Sequence, residues 1–254
     1  MTTKFVHQEP FTEQLLVDAG VTRGMRVVDL GCGGGDVSCL LAKLVGEEGQ
    51  VIGVDRDGAS LARARENAAC RGLSNTTFVQ RDLSEPLPDL HSFDAAVARR
   101  VLMYLPNPVD TLRRVAAALR SDGLAIFQEA DATMTLGRQS AFPLHDRVNE
   151  WIWQTVVREG ANVHIGFDLP RILEQAGFKV QRVRAVAEIE YGADQSTFQI
   201  TRAMQARIVQ QGVATEAEID LETLEERLET ERTEVGSIYV RSMSFGAWAR
   251  KVGA

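Results

Sequence analysis

Val27-Val28-Asp29-Leu30-Gly31-Cys32-Gly33-Gly34-Gly35-Asp36 is the stretch on which the fold turns. Its first four residues form an apolar run of strand length interrupted by one carboxylate. Asp29 then begins a D-x-G-x-G-x-G pattern with Gly31, Gly33 and Gly35. A helix is predicted directly afterwards, over Asp36 to Val45, because Val37, Leu40, Leu41, Leu44 and Val45 recur at helical spacing. Glycine lets a chain turn sharply at positive φ and removes the Cβ that would keep a ligand off the backbone. The helix that follows opens with unpaired N–H donors.

Three ligands compete for such a loop. A dinucleotide fingerprint needs a third glycine where Asp36 stands, and an anionic side chain is a poor neighbour for a pyrophosphate. A phosphate-binding Walker loop needs Gly-Lys-Ser/Thr, which is absent. A nucleoside that carries an amino-acid tail and no phosphate meets neither objection. Two acids downstream favour that third ligand. Asp55 ends the apolar run Val51 to Val54, one βαβ step on, where a carboxylate accepts hydrogen bonds from both ribose hydroxyls. Asp82 follows Phe78-Val79-Gln80-Arg81, in the matching place for an adenine amino group. Each acid alone reads as a surface cap. Three of them at the ends of three successive strands, with the glycine loop, do not.

Working outward, strands are predicted at Met25 to Leu30, Gln50 to Val54, Thr76 to Gln80, Phe93 to Ala98, Leu124 to Glu129, Lys179 to Ile189 and Ser237 to Arg250. Helices are predicted at Asp36 to Val45, Gly58 to Arg71, Pro108 to Leu119, Leu144 to Glu159, Leu169 to Ala176, Ala193 to Gln210 and Glu216 to Thr233. Alternating short strands and helices imply an α/β fold, a seven-stranded, mostly parallel sheet with helices on both faces. No linker splits the chain, so 1–254 reads as one domain. Two stretches, 132–168 and 192–236, interrupt the alternation as helical insertions. Because they follow the fifth and sixth strands, they are expected as lids at the carboxyl edge, where open α/β sheets bind ligands. Extra packing helices are the other reading.

On these residues the chain resembles the class I S-adenosylmethionine-dependent methyltransferases, which are Rossmann-like. It is most similar to their small-molecule branch of ubiquinone/menaquinone-type and natural-product tailoring enzymes. Val27 to Gly35 is similar to that family's first motif, Val51 to Asp55 to its second and Gln80 to Leu83 to its third. Leu102 to Pro108 resembles the segment after its fourth strand, and Arg120 to Leu124 the turn before its fifth. The resemblance implies S-adenosylmethionine as cofactor. Asp29, Gly31 and Gly33 would line its methionine part, Asp55 its ribose, and Asp82 with Leu83 its adenine. Arg99 would face the carboxylate or the sulfonium. One departure is informative. Arg99-Arg100-Val101-Leu102 stands where amino-group methyltransferases of nucleic acids and proteins carry Asn/Asp-Pro-Pro-Tyr.

Methyl transfer needs a base only if the acceptor must lose a proton. Of four histidines, His145 and His164 lie in the first insertion, His91 lies in a loop away from the site, and His7 lies in the N-terminal segment that closes over the cofactor in this family. Glu129 and Asp131 follow the fifth strand. The expected catalytic residues are therefore His164, His145 and Glu129. His7, Tyr104, Trp151 and Trp153 are expected to contact a small aromatic or heteroaromatic acceptor, methylated at O, N or C. A cofactor-dependent cyclase or binding protein on the same fold is the alternative, as is a protein or RNA methyltransferase.

Composition narrows the partners. The formal net charge is −7, so the chain lacks the basic footprint of a nucleic-acid binder. Three cysteines at 32, 39 and 70 form no metal-ligand spacing and read as reduced thiols. No apolar run approaches the ~20 residues that span a bilayer, and Met1 to Gly20 lacks a signal-peptide pattern. A cytoplasmic location without membrane or metal follows. The acidic helix after Glu216 offers a contact for a homodimer.

Overall fold

The computed structural model describes residues 10–85, 91–137 and 139–252. Its sheet has seven strands: β1 (Arg26–Leu30), β2 (Gln50–Asp55), β3 (Thr76–Gln80), β4 (Phe93–Arg99), β5 (Leu119–Asp131), β6 (Phe178–Glu190) and β7 (Tyr239–Lys251). Their spatial order is β3-β2-β1-β4-β5-β7-β6. The pairs β1–β2, β1–β4, β2–β3 and β4–β5 are parallel. β7 runs the other way. Val252 N–H donates to Gly177 C=O at 3.2 Å, while Ser242 Oγ donates to Glu188 at 2.7 Å. Lys251 Nζ likewise meets Leu119 C=O, at the start of β5. The order reverses between β1 and β4, and it is at the carboxyl edge of such a switch point that open α/β sheets bind ligands.

Why these strands pair is plain from their burial. Val27, Val51, Ala95, Val97 and Ile126 face one side of the sheet and pack with Leu15 and Leu16 of α1 (Pro10–Ala19) and with Leu40, Leu41 and Val45 of α2 (Asp36–Val45). Alternate residues Val28, Ala96, Ala125 and Phe127 are buried too. Both faces are therefore covered, as parallel strands require. α3 (Gly58–Cys70) starts at Asp57, whose carboxylate accepts from the N–H groups of Ala59 and Ser60. α4 (Pro108–Ala118) starts at Asn107, with proline in its first turn.

The remaining helices are α5 (Pro143–Arg158), α6 (Ile165–Gln175), α7 (Ser196–Gln210), α8 (Glu216–Ile219) and α9 (Leu221–Val235). Three expectations change. The helix expected over 216–233 is two helices, because Asp220 adopts φ 45° and breaks the run. β5 begins at Leu119 rather than Leu124, with a register irregularity opposite Phe93 and Ala95. α1 lies in a segment for which no element was expected.

The chain forms two compact units. The first comprises 1–129, 167–184 and 246–254, and the second 130–166 and 185–245. The expected insertions, 132–168 and 192–236, supply most of the second unit. Among the described residues no helix is long and apolar enough to cross a membrane.

Candidate functional site

The first unit holds the glycine loop at the carboxyl end of β1. Gly33 sits at φ 51°, in the left-handed region, and a Cβ there would meet nothing within 4 Å. Its backbone therefore presents an open face. Its N–H donates to Asp55 Oδ2 at 2.8 Å. The other oxygen, Oδ1, accepts from Asp57 N–H at 2.9 Å. So the parallel β1–β2 register brings the expected ribose carboxylate directly beside the loop.

Asp29 is sealed beneath. It is buried, and Ser38 Oγ of α2 donates to its Oδ2 at 2.5 Å. Burial pushes its pKa up to about 7, against the Ser38 hydrogen bond and the charge of Arg99, and with the charge of Asp55. Asp29, Asp55 and Arg99 thus share one electrostatic neighbourhood. Asp82, just past β3, accepts from Ser84 N–H at 2.8 Å and from Ser84 Oγ at 2.7 Å. Those bonds hold its pKa below the usual carboxylate value. Leu83 is buried, and its carbonyl accepts from Arg114 Nη2 at 2.9 Å. Arg99 ends β4 opposite Gln128. Tyr104 closes a 3-10 turn, Leu102–Tyr104, and is 42% exposed.

Glu129 is buried near the end of β5. Its Oε1 accepts from the N–H groups of Val101 at 3.0 Å and Leu102 at 2.8 Å. Burial raises its pKa to about 7, opposed by the N–H groups of Leu102 and Val101.

The second unit holds the histidines. His164 is exposed, and its Nδ1 lies 2.8 Å from Thr133 Oγ1. Asp131 fixes that neighbourhood by accepting from Thr133 N–H at 2.8 Å and Gly166 N–H at 2.9 Å. His145 is different. Its side chain is fully buried, with Nδ1 2.5 Å from Glu231 Oε2. Its Nε2 lies 3.3 Å from Arg232 Nη1 and 3.8 Å from Glu190 Oε1. Neither ring nitrogen is left for a substrate proton, so the expectation of His145 as a base gives way to a structural role. Trp153 is buried and Trp151 half-buried, both on α5. His7 lies outside the described residues.

Sequence reasoning missed Ser38, Thr133, Glu231 and the backbone contacts of Glu129. Ser38 carried one signal, a hydroxyl on the buried side of an amphipathic helix. The others depend on pairings between distant segments.

A family model described as a methyltransferase domain matches residues 21–177. The chain belongs to that family. It is also similar to a 2-phytyl-1,4-naphtoquinone methyltransferase of Synechococcus elongatus, 44% identical over 101 residues, which cover 38% of this chain and 42% of that protein. The match therefore spans less than half the length of this relative. A demethylmenaquinone methyltransferase of Staphylococcus aureus is 26% identical over 197 residues, covering 71% of this chain and 79% of that protein. The solved structure of a SAM-dependent methyltransferase from Aquifex aeolicus superposes with a TM-score of 0.57 at 18% identity, covering 95% of this chain and 89% of that one. At that identity the likeness concerns the fold.

Proposed function

We propose that this chain transfers a methyl group from S-adenosylmethionine to a small, aromatic or heteroaromatic molecule. The observation that carries the reading is the meeting of Asp55 with the open backbone of Gly33. A carboxylate has about four acceptor positions, and the two N–H groups of Gly33 and Asp57 leave room for ribose hydroxyls. The uncovered side of Gly33 is the cradle that a side chain would fill. Asp36, exposed and 3.5 Å from Arg71, keeps an anion where a pyrophosphate would need a glycine. The donor set therefore fits a sulfonium nucleoside better than a dinucleotide.

In this reading Asp55 holds the ribose, and Asp82 and Leu83 border the adenine. Gly31 and Gly33 line the methionine end. Asp29 lies beneath the methionine end, hydrogen-bonded to Ser38 and within the field of Arg99. The bound cofactor supplies an electrophilic methyl carbon. The chain's own task is to bind and orient, which in model systems is worth up to ~7–11 kcal/mol of a barrier. His164 is our candidate to accept an acceptor proton. With Nδ1–H donating to Thr133, its Nε2 carries the free lone pair. Tyr104, Trp151 and Trp153 are assigned to the acceptor, and 132–168 with 192–236 to a substrate cap, on the sequence argument that they follow the fifth and sixth strands. The acceptors named for the quinone-type relatives support a small aromatic substrate. The charge of −7 supports the absence of a nucleic-acid partner. The free cysteines 32, 39 and 70 support a cytoplasmic setting.

Calorimetry with S-adenosylhomocysteine and with NAD tests the cofactor. Binding of the first alone is expected. Asp55→Asn is expected to weaken it roughly 10–100-fold, because hydrogen bonds to charged groups are worth about 1.5–3 kcal/mol. Transfer of a labelled methyl group into a panel of hydroxynaphthalenes then tests the reaction. Binding of NAD in preference to S-adenosylhomocysteine would end this reading.

A further inference from the structure

Three consecutive amides after β4 are held by two consecutive residues of β5. Arg100 N–H donates to Gln128 C=O at 2.8 Å, and the N–H groups of Val101 and Leu102 both donate to Glu129 Oε1. The bend needs such holding. Arg100 adopts φ 58°, a left-handed conformation that is strained for a residue with a side chain. The bend also has a consequence on the glycine loop. A Cβ at Gly31 would fall 2.6 Å from Val101 Cγ2 and 3.0 Å from Cγ1. Val101 thus occupies the side of Gly31 that a side chain would take, and the first turn of the loop rests on it.

We infer that Glu129 is a positioning residue for the cofactor loop, fixing the bend at 100–102 so that Val101 sets the place of Gly31. The inference rests on the reading of Gly31 as lining the methionine end of the cofactor. Glu129 touches neither cofactor nor acceptor in this role. It acts through two backbone N–H groups and one valine. Its effect is therefore confined to the amino-acid end of the ligand and spares the ribose and adenine, which Asp55 and Asp82 serve from other strands.

Titrations with S-adenosylhomocysteine and with 5′-methylthioadenosine, which lacks the amino-acid end, test this. Glu129→Leu is expected to weaken the first about tenfold and to leave the second unchanged. Glu129→Gln keeps a carbonyl oxygen for the same two N–H groups and is expected to restore the affinity. Val101→Ala keeps the carboxylate but removes the packing on Gly31, and is expected to show the same selective loss. It decides the matter if Glu129→Leu fails to fold. Equal losses for both ligands, or an unchanged affinity for S-adenosylhomocysteine, overturn the role of Glu129. Wild-type protein that binds neither ligand overturns the cofactor reading, and this inference with it.

Discussion

Asp29 sits inside a strand, where a carboxylate costs energy unless it keeps its proton or finds a charge partner. Ser38 gives it one hydrogen bond, and burial raises its pKa from 3.8 to about 7. Between those two values the folded protein holds the proton and the unfolded chain does not. Stability from this group is therefore fully present below about pH 4 and falls as pH rises, by up to ~1.4 kcal/mol per pH unit, until it is lost above about pH 7. Glu129, also raised to about 7, adds a loss of the same sign. Asp29→Asn removes one titrating group. Its unfolding free energy relative to wild type is expected to improve steadily from about pH 4 to about pH 7 and then level off. Parallel urea-denaturation profiles for the two proteins across that range would show that Asp29 does not carry a proton. At this scale motif spacing places Asp55 and the glycine loop at the ends of neighbouring parallel strands, and the structure joins them through Gly33 N–H. Ser38 and the Val101 contact were not legible, because a hydrogen-bond partner or a steric neighbour leaves no periodic trace.

Helices and strands show which physical signals a sequence carries. α2 and β3 have the bounds that their apolar spacing predicts, since each is flanked by glycine, polar residues or a turn. In α1 Phe11, Leu15, Leu16 and Ala19 do recur at helical spacing, but the exposed Val17 blurs the stripe. The break at Asp220 was invisible because the acidic pattern continues on both sides of it. α5 shows a further kind of hidden information. Its N-cap residue, Phe142, makes no side-chain cap, yet Glu231 of α9 accepts from Leu144 N–H at 2.7 Å and His145 N–H at 3.0 Å. The same carboxylate takes His145 Nδ1. Next to it Arg232 pairs with Glu190 at 2.6 Å, and Glu190 accepts from Thr197 N–H at the start of α7. One turn of α9 therefore anchors α5, the end of β6 and α7 through charged hydrogen bonds. Glu231→Ala leaves two helix N–H groups and the Nδ1 of a buried imidazole without a partner, and is expected to destabilise the protein by about 3 kcal/mol. Glu231→Gln, which keeps an acceptor, is expected to cost less. Chemical denaturation measures the loss, and amide exchange at 144 and 145 locates it. A loss below about 0.5 kcal/mol would mean that water serves these groups as well.

Over the whole molecule, the parallel half of the sheet was legible because strand and helix periods alternate along the chain. The division into two units was not, since each is assembled from segments far apart in sequence. The chain passes from one unit to the other four times, after residues 129, 166, 184 and 245. The first unit accordingly depends on residues that come last. A Cβ at Gly246 would lie 2.7 Å from Leu15 Cδ1, so α1 rests against the final part of β7. Ala247, Trp248 and Ala249 are buried there. Arg250 Nη1 donates to Asp122 C=O at 2.9 Å and Lys251 Nζ to Leu119 C=O at 2.8 Å, tying that strand end to the start of β5. A chain ended at Phe245 loses all of these and exposes Leu15 with the apolar faces around it. Each large buried side chain so uncovered costs about 2–5 kcal/mol, which together rivals the 5–15 kcal/mol that holds a typical domain folded. The shortened chain is therefore expected to keep helical circular dichroism, lose its cooperative thermal transition and bind a hydrophobic dye. A sharp transition near the wild-type temperature would show that the last strand segment is dispensable to the unit that holds the glycine loop.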